Sequence, residues 1–199
     1  LYEVLDTTYG TRVLLGDVQG KGLAAVETAA DVLGVFRATA RIEPNLAHLA
    51  ERLDSALAQS RNNERFVTAV LLAIPPAQDL VEVVNCGHPL PLLRRGSGTV
   101  DEVEPPAYAP PLGLRALTGD TIRSRTVDLE PGDLLLLYTD GVSEARDAEG
   151  RFYPLAARLV SFGAQEPGPV LDELLTDVVA YSADGMTDDA ALLAVRCDA

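Results

Sequence analysis

Short apolar runs dominate the chain, interrupted by blocks of helical spacing. Thr11 to Asp17 reads as a strand that ends on an acid. From Gly22 to about Arg41 the spacing turns helical, and Ala24, Ala25, Val26, Ala29, Ala30, Val32, Leu33 and Phe36 leave little polar face. A helix of that kind is expected to be covered on most sides, by a sheet and by a partner helix. Leu46, Leu49, Leu53 and Leu57 then recur with charges between them, which predicts an ordinary amphipathic helix. Phe66 to Ile74, Leu80 to Val84 and Pro91 to Leu93 read as strands, with Gly96-Ser97-Gly98 as a turn. Pro105, Pro106, Pro110 and Pro111 crowd one irregular loop, and strand pattern resumes at Thr121 to Leu129. Pro131-Gly132-Asp133 is a turn feeding Leu134 to Thr139, a continuous apolar run suited to a fully buried strand. Helices are predicted over Tyr153 to Phe162 and Gly168 to Tyr181, and a last strand over Ala191 to Arg196. Strands in hairpin-like succession, with helices in separate blocks, predict an α+β fold of antiparallel sheets covered by helices.

Composition narrows what such a fold is for. A chain of 199 residues, 47% hydrophobic and 23% charged, has the proportions of one globular domain spanning 1–199. No run approaches the ~18 apolar residues of a membrane span, and the first residues do not resemble a signal peptide. The chain does not begin with Met, so it reads as a fragment of something longer. Acids outnumber bases 30 to 16, for a net charge of −14. A surface that negative repels phosphate backbones and anionic lipid heads, so neither nucleic acid nor membrane is an expected partner, whereas bound cations would relieve it. Cys86 and Cys197 have no metal or redox spacing. They read as free thiols in a reducing cytoplasm, with a single disulfide as the alternative.

Three places carry candidate chemistry. Asp17 lies in Gly16-Asp17-Val18-Gln19-Gly20-Lys21-Gly22, Asp140 follows the strand Leu134 to Thr139, and Asp188-Asp189 open the final strand. A carboxylate at the rim of a buried strand is partly desolvated, which is costly unless it is paired or coordinated. Converging carboxylates repel, and hard divalent cations are the usual remedy. Taken singly, each acid is as readily a helix cap or a turn residue. Zinc is disfavoured because His48 and His88 are the only histidines, and His48 falls within a helix as a surface or packing residue. Oxygen-only ligation points to Mg²⁺ or Mn²⁺. Two such ions ~3.5–4 Å apart can hold a hydroxide and clamp a phosphoryl group for in-line attack.

Rival chemistries fail on spacing. Only three residues separate Gly16 from Gly20, where a Walker A loop needs four, and Lys21 is followed by Gly22 rather than Ser or Thr. Six positions after Cys86 stands Leu92, where a cysteine phosphatase needs Arg. There is no Gly-x-Ser-x-Gly elbow and no Asp-x-Asp pair.

Five segments in one order carry a family resemblance: Gly-Asp-Val-Gln-Gly-Lys-Gly at 16–22, Asn85-Cys86-Gly87-His88-Pro89, Pro111-Leu112-Gly113, Tyr138-Thr139-Asp140-Gly141-Val142-Ser143-Glu144-Ala145, and Asp188-Asp189. Together they resemble the metal-dependent Ser/Thr protein phosphatases, in the bacterial stage II sporulation protein E-type branch. The resemblance implies a four-layer α-β-β-α sandwich, two antiparallel sheets flanked by helices, with two Mn²⁺ or Mg²⁺ ions. By motif position Asp17 would bridge both ions and the Val18 carbonyl would join the first. Asp140 and Asp188 would hold the second, with Asp189 as a supporting or third-site ligand. Activated water would hydrolyse phosphoserine or phosphothreonine, on a phosphorylated anti-sigma-factor antagonist of the STAS-domain type, in the cytoplasm. A catalytically weak or inactive interaction module in the same partner-switching pathway is the alternative.

Two departures qualify the resemblance. Relatives of this branch carry Gly-Gly-Asp just before the segment that Leu1-Tyr2-Glu3 resembles, and the chain starts after that acid. A version extended through it is expected to bind the first metal more tightly. Gln19 stands where eukaryotic relatives have a His that protonates the leaving group, which leaves a metal-bound water as the candidate acid. His88 is expected to fix a turn by hydrogen bonding, with catalysis the alternative. The Gly22 to Arg41 helix follows directly from the Asp17 loop and is expected to meet a helix of a partner subunit, in a homodimer, or of an upstream sensor domain, with simple burial within one subunit as the alternative.

Overall fold

The computed structural model describes residues 1–59, 65–76, 79–183, 185 and 189–197. In chain order the elements begin with β1 (Tyr2–Thr7), β2 (Gly10–Val18), α1 (Leu23–Thr39), α2 (Leu46–Ala58), β3 (Val67–Ile74), β4 (Leu80–Cys86), β5 (Leu92–Arg94) and β6 (Val100–Glu102). They continue with α3 (Arg115–Thr118), β7 (Arg125–Asp128), β8 (Leu134–Tyr138), α4 (Asp140–Ser143), α5 (Leu155–Ser161), α6 (Pro167–Tyr181) and β9 (Leu192–Arg196). Both sheets are antiparallel and each has its own helices, which is the α+β class that the sequence predicts. Contacts divide the chain into two compact units, residues 1–88 with 105–128 and residues 89–104 with 129–199.

The first unit is a five-stranded sheet in the order β1-β2-β3-β4-β7. Its β2–β3 pairing runs from Thr11 opposite Ile74 to Val18 opposite Val67. One sheet face sets Leu14, Leu71 and Val84 against Val32 and Phe36 of α1 and Leu46, Leu49, Leu53 and Leu57 of α2. The periodic leucines of α2 are therefore its buried stripe, and the Asn45 side chain caps the helix by accepting from the His48 N–H at 2.9 Å. Buried Arg12 donates through Nη2 to the Pro44 carbonyl at 2.7 Å and so ties the α1–α2 connection to the sheet.

α1 departs from its expected cover. Thr28, Val32, Phe36 and Thr39 are its buried residues, while Leu23 is 76% and Val26 64% exposed. The helix rests on the sheet and on α2 along one side only, and its many alanines give those neighbours little to bury.

The second unit is a four-stranded sheet in the order β6-β5-β8-β9. All five residues of β8 are buried, as its unbroken apolar run predicts, and both its edges are paired. Leu92, Leu134, Leu136 and Tyr138 pack with Leu155 and Leu159 of α5 and with Val170, Leu174 and Val178 of α6. The Thr121 to Leu129 strand is shorter than its pattern suggests, since β7 joins the ladder only over Arg125–Asp128. Sequence patterning misses the one-turn helices α3 and α4 and two edge strands, β1 with outward Tyr2, Val4 and Asp6, and β6 with exposed Asp101 and Glu102. Among the described residues no helix is long and apolar enough to cross a membrane.

The turn before β8 is locked by Asp133, which accepts from the N–H of Gly96 (2.9 Å), the N–H of Glu130 (3.0 Å) and Arg95 Nη1 (2.7 Å). Burial pushes this carboxyl up, but the two N–H groups and the Arg95 guanidinium together hold it below the usual carboxylate range. A carboxyl lowered in the folded state stabilises the fold above its unfolded pKa of about 3.9 and loses that contribution as pH falls through the folded value. Asp133→Ala is therefore expected to cost about 1–3 kcal/mol at neutral pH. In thermal melts the gap from the parent should shrink as the pH is taken below about 4.

Candidate functional site

In the first unit Asp17 and Val18 are the last two residues of β2, half-buried, with Thr68 and Val67 of β3 directly opposite. The Gln19 N–H donates to the Phe66 carbonyl at 3.1 Å, which carries the ladder one residue past the strand. Arg65 Nη1 lies 3.4 Å from the Gln19 carbonyl, on the loop that follows Asp17.

Two of the motif segments gather behind this strand end. Asn85 clasps His88 in both directions: its amide donates to the His88 carbonyl and its Oδ1 accepts from the His88 N–H, each at 2.9 Å. Gly87, at φ +64°, is required because a Cβ there would come 2.7 Å from the Pro111 ring. Leu112 pairs with Val67 through both backbone bonds, at 2.8 and 3.1 Å. The Gly113 N–H donates to buried Asp54 Oδ1 at 2.8 Å, and Arg115 Nε reaches Asp54 Oδ2 at 3.3 Å. The His88 imidazole is buried, and its Nδ1 stands 3.0 Å from Thr68 Oγ1. The Asn85 clasp on the His88 backbone fixes the turn, as expected for that segment, while the imidazole itself reaches back to β3. Burial, with Asp54 nearby, pushes the Cys86 thiol up to about 12, so it stays protonated at neutral pH. Cys86 and Cys197 are not joined in a disulfide. His48 is on the surface, as its helical position suggests.

In the second unit Asp140 is exposed and opens the single turn of α4. The strand end before it is stitched to the segment before β9. The Thr139 N–H donates to the Ala191 carbonyl at 3.1 Å, and the Ala191 N–H donates to Thr139 Oγ1 at 2.9 Å. Gly141 follows because the chains pass too closely for a side chain: a Cβ would lie 2.4 Å from the Asp189 carbonyl oxygen. The structure therefore brings the segments of Asp140 and exposed Asp189 side by side, while Asp188 lies outside the described residues.

The predicted ligands fall into two groups, Asp17 with Val18 in one unit and Asp140 with Asp189 in the other. Among the described residues no three Asp, Glu, His or Cys side chains form a ready-made metal cage. The donors present are all oxygen, carboxylates and a strand-end carbonyl, and that set fits a hard divalent cation and not zinc. Sequence reasoning missed Thr68 and Arg65. Thr68 faces Asp17 through strand pairing and Arg65 reaches the Gln19 carbonyl of the loop after it, and no spacing along the chain announces either.

Residues 7–198 match the family described as stage II sporulation protein E (SpoIIE). The chain is 28% identical over 147 residues to phosphoserine phosphatase RsbP of Bacillus subtilis, covering 72% of this chain and 35% of that protein. Among solved structures, that of the RsbU and RsbW domains of Rv1364c from Mycobacterium tuberculosis superposes with a TM-score of 0.85. Identity is 24%, over 100% of this chain and 56% of that one. RsbX, solved in complex with magnesium, superposes with a TM-score of 0.72 at 18% identity, over 98% of this chain and 84% of that one. The chain therefore spans 35% of the curated relative and 56% of the mycobacterial protein. The chain belongs to the SpoIIE family.

Gly141→Ala is expected to force the Asp189 segment away from Asp140, since the obstructing atom is backbone and cannot turn aside. Phosphate release from para-nitrophenyl phosphate should fall at least about tenfold. Asp140 itself is untouched by the change, so the loss would report spacing and not chemistry.

Proposed function

We propose that this chain is a Mn²⁺- or Mg²⁺-dependent protein phosphatase that hydrolyses phosphoserine or phosphothreonine. The observation that carries the reading is the SpoIIE family match over residues 7–198, which spans Asp17, Asp140 and the Asp188-Asp189 pair. The relative named a phosphoserine phosphatase and the magnesium complex of RsbX support the activity and the type of metal. Asp17 and the Val18 carbonyl would hold the first ion, with Asp17 shared by the second, and Asp140 and Asp188 would hold the second, with Asp189 as a supporting or third-site ligand.

Bound divalent cations supply Lewis-acid polarisation of the phosphoryl oxygens and lower the pKa of coordinated water. The chain's own part is positional. β2 delivers Asp17 and the Val18 carbonyl from a paired strand end, and the Thr139–Ala191 bonds fix where Asp140 leaves β8. Neutral Gln19 gives no acid to the leaving group. Protonated Cys86 gives no nucleophile, in keeping with direct attack by water and no covalent intermediate.

The substrate in this reading is a phosphorylated anti-sigma-factor antagonist of STAS type in a partner-switching circuit, acting in the cytoplasm. The net charge of −14 supports a protein partner over nucleic acid or an anionic membrane. Regulation by a homodimer partner or an upstream sensor domain belongs to the same reading, and the exposed Leu23 and Val26 of α1 support it.

Asp17→Asn is expected to reduce Mn²⁺-dependent phosphate release to background, because a neutral amide bridges two cations poorly and leaves their repulsion unscreened. Near-parental activity in that variant would remove the two-metal reading. Asp140→Asn should instead lower the number of Mn²⁺ ions bound per chain, as read by calorimetric titration. A parent chain that releases no phosphate from para-nitrophenyl phosphate with Mn²⁺ would leave the inactive interaction module as the reading.

A further inference from the structure

Thr68 stands directly opposite Asp17 in the β2–β3 ladder. Directly opposed residues leave a sheet on the same face, with Cβ atoms about 4.5–5.5 Å apart. The Thr68 hydroxyl is therefore a neighbour of the carboxylate assigned to the metals, and it lies 3.0 Å from His88 Nδ1. The backbone that carries that imidazole is fixed from two sides. Asn85 bonds its backbone in both directions, and Gly87 beside it packs on Pro111. The next residue of that loop, Leu112, returns to pair with Val67, one residue from Thr68. A closed circuit of contacts thus begins and ends at the strand that faces Asp17. Closing the β4 turn needs only the Asn85–His88 backbone clasp. It does not call for an imidazole reaching back to β3.

We propose that Thr68 and His88 are positioning residues for Asp17: the His88 imidazole orients the Thr68 hydroxyl, and that hydroxyl restricts the Asp17 carboxylate to the rotamer that accepts a divalent cation. The inference rests on the reading of Asp17 as a metal ligand. A carboxylate at a strand end has several staggered rotamers open to it, and each one lost before binding is entropy that the metal need not supply. Groups in this supporting role typically carry a 10–100-fold share of metal affinity, about as much as a ligand's own hydrogen-bond partner does.

The test is Mn²⁺ affinity in the full chain, read from the electron paramagnetic resonance signal of free Mn²⁺, with thermal melts alongside. Thr68→Val and His88→Leu are each expected to weaken Mn²⁺ binding about tenfold, while Thr68→Ser, which keeps the hydroxyl, stays within about twofold of the parent. His88→Asn sets an amide as many bonds from the backbone as Nδ1, and it should recover most of the loss even if His88→Leu melts early. Because the two residues act in series, the Thr68→Val/His88→Leu double variant should be no weaker than Thr68→Val. Parental affinity in Thr68→Val would overturn the proposal. So would equal losses in Thr68→Ser and Thr68→Val, or losses that sum in the double variant. Asp17→Asn separates the two levels. If it binds Mn²⁺ like the parent, the ligand assignment fails; if it loses Mn²⁺ while Thr68→Val does not, only the positioning role fails.

Discussion

The antiparallel pairing of β2 with β3 is the constraint from which the first unit is built. Its eight paired positions place Leu14 and Leu71 on the face that receives α1 and α2, and they bring the ladder to its end at Asp17 and Val18. A slip of one residue would exchange the two faces of β2, both apolar and buried, and carry Asp17 from one to the other. Burial of the core and placement of the acid are therefore one decision. The loop segments around Asn85 and Pro111 reinforce it, because Leu112 extends the hydrogen bonding of Val67 exactly where β3 begins, and Asp54 anchors that loop from α2.

The second unit reaches a comparable result by a different route. β8 is a strand with no polar face, so it must lie between two neighbours, and β5 and β9 supply them. Its end is set by hydrogen bonds across Thr139 and Ala191 and by the missing side chain at Gly141. An acid that follows such a strand inherits its fixed direction. In both units a flexible carboxylate is given a rigid origin, the cheapest form of preorganisation available to a loop-borne ligand.

Much of this was legible in the sequence because burial writes itself as periodicity. The α2 leucines and the unbroken run of β8 each appear in the fold as their spacing predicts. Edge strands were not legible, since β1 and β6 need cover on one side at most and carry polar residues outward. The extent of cover on α1 was also overestimated, because alanines read as apolar yet are small enough to leave exposed. At the candidate site the acids announced themselves by standing at the ends of apolar runs. Thr68 did not, for its importance comes from what faces it across the sheet, 51 positions along the chain from Asp17.

The route of the chain has a consequence for how the molecule is made. The first unit is completed only when β7 pairs with β4, joining Leu80 to Asp128, and the second borrows β5 from the middle of the sequence to pair with β8. Neither unit is a contiguous stretch, so a fragment that keeps either sheet whole also carries at least one strand of the other. During synthesis β4 must wait for some forty residues before its outer neighbour emerges, and β5 waits similarly for β8. Loop closure over such distances slows folding and leaves unpaired strand edges exposed meanwhile. The acidic surface, which keeps unfinished chains apart, is then of use before any cation is bound.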